Sequence, residues 1–181
     1  THLEAVLHYQ SSSKRISSYT DLQRALGDFF ELEYDRYVAI NSELINKHKI
    51  ATPVILARKK LSDHLKTGEE FVGNGPEVAL KKLLTSLAQY EINEKRKITI
   101  SSRSIIFDLF TSYKEILLKN PRGISFEELS NVFIAPPYGL RKATLPMLLS
   151  LFDKALDHPI NHYFEQEFVE TVDGEHYEML L

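Results

Sequence analysis

The chain has 181 residues, of which 43% are hydrophobic, with 25 acidic against 22 basic side chains and a net charge of −3. That composition suits one large or two small folded domains and excludes a disordered chain, and no apolar run approaches the roughly 18 residues of a membrane span. Without Cys there is no disulfide and no thiolate chemistry, so a reaction would have to use His, Asp, Glu, Ser or Lys; a reducing compartment fits this composition but does not follow from it.

No repeat is visible at a period of roughly 20 to 50 residues, which excludes solenoids and propellers. Thr20 with Gln23 makes a capping-box pattern ahead of Leu22, Ala25, Leu26, Phe29 and Phe30, predicting a helix over 21–34. Thr52 is placed to cap a second helix with Pro53 at its first position, with Ile55, Leu56, Leu61 and Leu65 as its buried side and Gly68 as its stop. In Gly73-Asn74-Gly75-Pro76 the proline opens a third helix, whose stripe is Leu80, Leu83, Leu84 and Leu87 while Lys81 and Lys82 stay wet. The charged segment Asn93-Glu94-Lys95-Arg96-Lys97 lacks periodicity and is taken as a connector. It divides the chain into a helical subdomain, 1–98, and a second domain, 99–181.

In the second domain Ile105, Ile106, Leu109, Tyr113, Ile116 and Leu117 predict a helix that stops at Asn120-Pro121. Ser125 caps a short helix through Glu128, Leu129, Val132 and Phe133, and Ala135-Pro136-Pro137-Tyr138-Gly139 breaks it. Thr144 is expected to cap a third helix carrying Leu145, Leu148, Leu149, Leu151, Phe152 and Leu156, closed by Asp157-His158-Pro159. A hairpin turning at Asp173-Gly174 is expected last, with Phe168 and Val172 sharing a face with Tyr177 and Met179. Three helices followed by a hairpin is the order of a winged helix, so the fold class reads as mainly α, or α+β: a helical subdomain followed by a winged helix-turn-helix with a C-terminal hairpin wing.

None of the seven Gly is followed by Lys, so the loop that cradles phosphates in P-loop NTPases is missing. There is no Gly-x-Ser-x-Gly nucleophile elbow either. His158, His162 and His176 with Glu165 invite a metal reading, but Pro159 interrupts the helical spacing of the first two, and they are read as exposed loop and wing residues. His8, His48 and His64 are scattered. Glu69-Glu70 and Glu127-Glu128 are sequence neighbours whose side chains diverge, and Glu165, Glu167 and Glu170 read as outward charges protecting a sheet edge. No residue is assigned to catalysis, to a cofactor or to a metal.

Charge is unevenly divided. Residues 1–101 hold 15 basic and 13 acidic side chains, and 102–181 hold 7 basic and 12 acidic. A helix that enters a DNA groove is preceded and lined by basic residues, whereas the third helix of the second domain has only Arg141 and Lys142 ahead of it, an exposed stripe of Ser150, Asp153, Lys154 and Asp157, and apolar residues elsewhere. Such a helix prefers a protein core. Basic density lies instead at Lys47, Lys49, Arg58, Lys59, Lys60 and Lys66. The candidate nucleic-acid residues are therefore Arg58, Lys59 and Lys60, with Arg141 and Lys142 as the alternative, against the plainer reading of a solvated lysine-rich face.

Four short motifs occur in order: Asn41-Ser42-Glu43-Leu44-Ile45-Asn46, Ala57-Arg58-Lys59-Lys60-Leu61, Gly75-Pro76-Glu77 and Pro136-Pro137-Tyr138-Gly139-Leu140-Arg141. Over about 37–181 the chain resembles the C-terminal region of large bacterial P-loop ATPases encoded in phage-defence and restriction-like operons. In those proteins a nucleotide-binding module is followed by helices and a winged helix with a Pro-Pro-Tyr-Gly-Leu-Arg turn. This chain departs from the pattern at Lys142-Ala143-Thr144, where a Gly is expected nearby. The resemblance implies a noncatalytic, cytoplasmic module of an ATPase parent, partnered by its N-terminal ATPase module and docking on that motor or positioning DNA. An initial Thr1-His2-Leu3 and a final Met179-Leu180-Leu181 agree with an origin in a longer protein. The alternative is a protein-interaction or dimerisation scaffold without nucleic-acid contact. No membrane association is expected, and self-association is left open.

Overall fold

The computed structural model describes residues 5–47, 49–68, 71–170 and 172–179. His48 and Glu69-Glu70 lie outside them. The described chain is mainly helical, α+β in class, with seven helices and three separate two-stranded antiparallel sheets.

The chain opens with a hairpin for which the sequence reading had no element. Strands β1 (Ala5–Tyr9) and β2 (Ser12–Ile16) pair with Ala5 opposite Ile16 and Tyr9 opposite Ser12. Helix α1 (Tyr19–Glu33) lies on this hairpin and buries Ala25 and Phe29, with the Tyr9 ring stacked 4.8 Å from that of Phe29. Its cap is Ser18 rather than Thr20: the Ser18 hydroxyl accepts the Asp21 amide at 3.1 Å, satisfying one of the free N–H groups of the first turn.

Helix α2 (Thr52–Thr67) carries Pro53 in its first turn and ends on Gly68, at φ 66. Ala51 is the capping position, so Thr52 is already helical. The buried face is Val54, Ala57, Arg58, Leu61, Ser62 and Leu65, while Leu56, expected inside, is exposed. Helix α3 (Pro76–Ala88) buries Leu80, Leu84 and Leu87. The charged segment after it is the turn of a small hairpin, β3 (Glu91–Ile92) with β4 (Ile98–Thr99), in which the Asn93 carboxamide oxygen accepts the amides of Lys95 and Lys97 at 3.0 Å.

Helix α4 (Phe107–Lys119) buries Leu109, Phe110 and Tyr113. Ile106 is buried at its cap position, whereas Ile105 is exposed. Helix α5 (Phe126–Ile134) opens with a full capping box, Ser125 accepting the Glu128 amide and Glu128 reaching back to the Ser125 amide. A 3-10 turn, Lys142–Thr144, then leads into helix α6 (Leu145–Ala155). Thr144 does not cap α6 with its side chain, because its hydroxyl donates to the Arg141 carbonyl at 2.7 Å.

Helix α6 is the centre of the molecule. Nine of its 11 residues, Leu145 to Phe152 and Ala155, are buried. It packs against α2 and, near the chain end, against helix α7 (Gly174–Met179). The predicted exposed stripe is corrected accordingly: Ser150 is buried, taking a hydrogen bond from the Ser62 hydroxyl of α2 at 3.1 Å, and Asp153 is almost fully covered. One continuous apolar cluster runs from Ile40 to Tyr177 and includes residues on both sides of Asn93–Lys97.

The hairpin is also displaced from its expected position. Strands β5 (His162–Phe164) and β6 (Glu167–Val169) pair with Tyr163 opposite Phe168, and the turn is Glu165-Gln166, with φ of 49 and 71. Asp173-Gly174 is instead the start of α7, where the Asp173 carboxylate accepts the amides of Glu175 and His176 at 3.0 and 3.1 Å. Asp is favoured at turns and at helix starts for the same reason, its oxygen accepting an amide two or three residues on.

Candidate functional site

Of the three residues expected from charge density to meet nucleic acid, Arg58, Lys59 and Lys60, the first is buried. Arg58 is 1% exposed, and its guanidinium donates to the Ala143 carbonyl and to the Glu178 carboxylate, both at 2.6 Å. Burial raises the Glu178 pKa, against the opposing hydrogen bond and charge of Arg58. The arginine thus ties α2 to the turn before α6 and to α7, and cannot meet a phosphate outside. Lys59 pairs with Glu175 of α7 at 3.2 Å, and Lys60 pairs with Glu77 at the start of α3. Arg141 is exposed yet donates to the Asn46 carbonyl at 2.7 Å, whereas Lys142 projects from the same edge with no ion pair among the described residues.

These bonds join the motif segments in two pairs, 57–61 with 75–77 and 136–141 with 41–46, and Arg58 reaches Ala143 just beyond the last of them. The 57–61 segment holds Ala143 and Glu77, the 136–141 turn holds Asn46, and the Tyr138 and Ser112 hydroxyls are hydrogen-bonded to each other at 2.6 Å. Gly139, at φ 63, sits so close to the Tyr34 ring that a Cβ would come within 2.7 Å of it. The Arg36 amide donates to the Pro137 carbonyl at 3.3 Å. Each of these roles is architectural.

A different group of polar side chains was missed. Asp153 of α6, with its side chain 9% exposed, accepts hydrogen bonds from the hydroxyls of Tyr113 in α4 and Tyr177 in α7, and lies 3.0 Å from Nε2 of His162 in β5. One carboxylate therefore joins four elements. Burial, then the Asp153 charge and hydrogen bond, hold both phenols far above their ordinary pKa, fixing them as donors. The sequence carried a signal: a charged residue within a helix apolar nearly all round must be buried and therefore satisfied.

This cluster walls a cleft of about 520 Å³ between α4, the 120–124 loop, α5 and the β5 end of the hairpin. Leu117, Ile124, Phe126, Leu129 and Leu149 give it an apolar floor. The imagined histidine metal site does not assemble: His162 is bound to Asp153 and His176 to Asp173, and among the described residues no group of three or more His, Asp or Glu is placed to hold a metal ion. Among them, too, no helix is long and apolar enough to cross a membrane.

No protein-family model, curated protein or solved structure matches the chain.

Proposed function

We propose that the chain is a noncatalytic module of winged-helix type that works by docking onto protein, in the first place onto the ATPase module of a larger cytoplasmic P-loop ATPase of the bacterial phage-defence or restriction-associated type. The order α4, α5, α6, then the β5–β6 hairpin supports the winged-helix reading, and the motif resemblance supports the parent class. The observation that carries the docking role is the burial of α6. In a groove-reading winged helix the third helix offers a free polar face to base edges, and here that helix is enclosed by α2, α7 and the core. The Asp153 cluster reads as architectural in the same way, since its three donors are already engaged.

Fluorescence anisotropy with a duplex DNA across a salt series tests this. The expected result is no binding that weakens with salt; a log–log slope corresponding to several phosphate contacts refutes the reading. DNA positioning keeps one observation in its favour, since the Arg141–Asn46 bond sets the exposed Lys47 and Lys142 on adjoining segments. If that rival holds, neutralising Arg141 and Lys142 reduces the salt slope and neutralising Lys59 and Lys60 does not, because the latter are already paired with Glu175 and Glu77.

A further inference from the structure

We infer that the chain pairs with a second copy of itself through the free edge of β1 and the flank of α1 that overhangs it. The product is a four-stranded antiparallel sheet, β2-β1-β1-β2, with the two α1 helices side by side on one face. The inference goes beyond the docking role and uses a different part of the molecule. The hairpin and α1 form a unit whose buried residues, Ala25 and Phe29, lie outside the apolar cluster that runs from Ile40 to Tyr177. Its sheet stops at two strands, so among the described residues β1 has a neighbour on one side only. Alternate residues of such a strand turn their N–H and C=O outward, unpaired. The two strands differ in how they guard their edges. Strand β2 carries Lys14 and Arg15, the kind of charge that blocks pairing, whereas Ala5-Val6-Leu7-His8-Tyr9 contains no Asp, Glu, Lys or Arg.

Helix α1 overhangs the unguarded edge. Its Asp28 carboxylate takes Lys14 of β2 and its Glu33 carboxylate takes the Tyr9 hydroxyl of β1, which fixes the flank that lies over each strand. At about 100° per residue, Tyr19, Leu26 and Phe30 fall within about 60° of Glu33, on the β1 side, and they are 73%, 51% and 45% exposed. Strands about 4.8 Å apart put a helix centred over β1 and β2 about 4.8 Å from a two-fold axis at the β1 edge. The two helix axes then lie about 9.6 Å apart, inside the roughly 8–10 Å range of packed helices. Charge selects the orientation. Arg24 and Glu31, seven residues apart and so on one face of α1, are both exposed and in no ion pair among the described residues. The two-fold runs the helices antiparallel and sets Arg24 of each copy toward Glu31 of the other, whereas a parallel pairing would set like against like. A second copy thus supplies in one piece an uncharged strand, an apolar helix flank at packing distance and two crossed charge pairs.

Sedimentation velocity of the full chain between about 1 and 100 μM tests this. A dimer is expected to form within that range, with the amides of 5–9 exchanging more slowly at the upper end because strand pairing protects them. Leu26→Glu, at an exposed position, should weaken the dimer at least about tenfold while leaving the Tm of the dilute monomer unchanged. Leu32→Glu is the control: Leu32 is also exposed but lies within about 40° of Asp28, over β2, so the dimer should survive it. Arg24→Glu should weaken the dimer about fivefold through two like-charged contacts, and adding Glu31→Arg should restore it. A chain that stays monomeric at about 100 μM overturns the inference. So does a dimer indifferent to Leu26→Glu, one lost equally with Leu32→Glu, one without concentration-dependent protection of 5–9, or a charge swap that restores nothing. None of these outcomes depends on the DNA titration above, so a failure here leaves the docking role standing, and salt-dependent DNA binding there leaves the dimer standing.

Discussion

Replacing Gly174 by Ala should destabilise the protein through a collision rather than through backbone strain. Gly174 is the first residue of α7 and is absent from the positive-φ positions of the chain. A Cβ built on it falls 2.3 Å from the Lys59 carbonyl oxygen and 2.5 Å from the Lys59 Cα, both backbone atoms inside α2. An ordinary carbon–oxygen contact is roughly 3.3–3.6 Å, so α7 must retreat by about 1 Å. That retreat stretches the bond from the Gly174 amide to the Asp63 carboxylate, now 2.8 Å, and a hydrogen bond to a charged group is worth about 1.5–3 kcal/mol. Overpacking adds about 1–3 kcal/mol. A loss of at least about 2.5 kcal/mol corresponds to a drop in Tm of roughly 5–10 °C for a chain of this size, measurable by circular dichroism. Gly174→Asn separates this from a turn: Asn tolerates a left-handed turn position but collides with Lys59 as Ala does, so both variants should fall together. An unchanged Tm for Gly174→Ala, or a harmless Gly174→Asn, would refute the close-approach argument.

The opposite sign is expected at Gly27, in the middle of α1 with nothing within 4 Å of an added Cβ: Gly27→Ala should stabilise by about 0.5–1 kcal/mol in urea denaturation. Arg58→Ala strands the Glu178 carboxylate and should cost about 3–5 kcal/mol, whereas Arg58→Met combined with Glu178→Leu should recover most of it; a double variant as unstable as the single one contradicts the account. Asp153→Ala leaves the buried Tyr113 and Tyr177 hydroxyls without an acceptor, about 1–3 kcal/mol each, and adding Tyr113→Phe and Tyr177→Phe should restore part of the loss. Hydrogen bonds from the Ser125 side chain and then its amide hold the Glu128 pKa below the ordinary glutamate value. With the folded value the lower one, the capping box stabilises above the unfolded pKa and loses its effect as pH falls through the folded one. Ser125→Ala should move the Glu128 titration, followed by NMR, upward toward its ordinary position.

Helices were legible in this sequence wherever apolar periodicity coincided with a start or stop residue. Pro76 and the Leu80, Leu84, Leu87 stripe defined α3, and Ser125 with Glu128 defined α5, because both the local chemistry and the burial pattern pointed the same way. The amino-terminal hairpin was not legible: Leu7, Tyr9, Lys14 and Ile16 alternate over only five residues per strand and one inward position is a lysine, which pairs with Asp28. The β5–β6 hairpin was misplaced because its turn, Glu165-Gln166, takes positive φ without glycine or asparagine, while Asp173-Gly174 offers the usual turn residues at a helix start.

The placement of the candidate basic residues turns on a related point, that charge counted along a sequence is blind to the face a residue occupies. In α2 the buried positions recur as Val54, Ala57, Arg58, Leu61 and Leu65, a helical stripe in which Arg58 holds a regular place. Its two neighbours, Lys59 and Lys60, fall off that stripe and reach outward to carboxylates. Of these two types of placement, only the inward one requires an arginine: its planar fork can donate to a carbonyl and a carboxylate at once while its stem lies in an apolar core. The same test applied to α6 puts Asp153 inside, where three donors must meet it, and leaves the free acidic charge on the hairpin and α5, at Glu127, Glu165, Glu167 and Glu170. Arg58 therefore closes the core of this protein while the outward lysines beside it are already held by carboxylates, which is why basic density along α2 does not amount to a free phosphate-binding face.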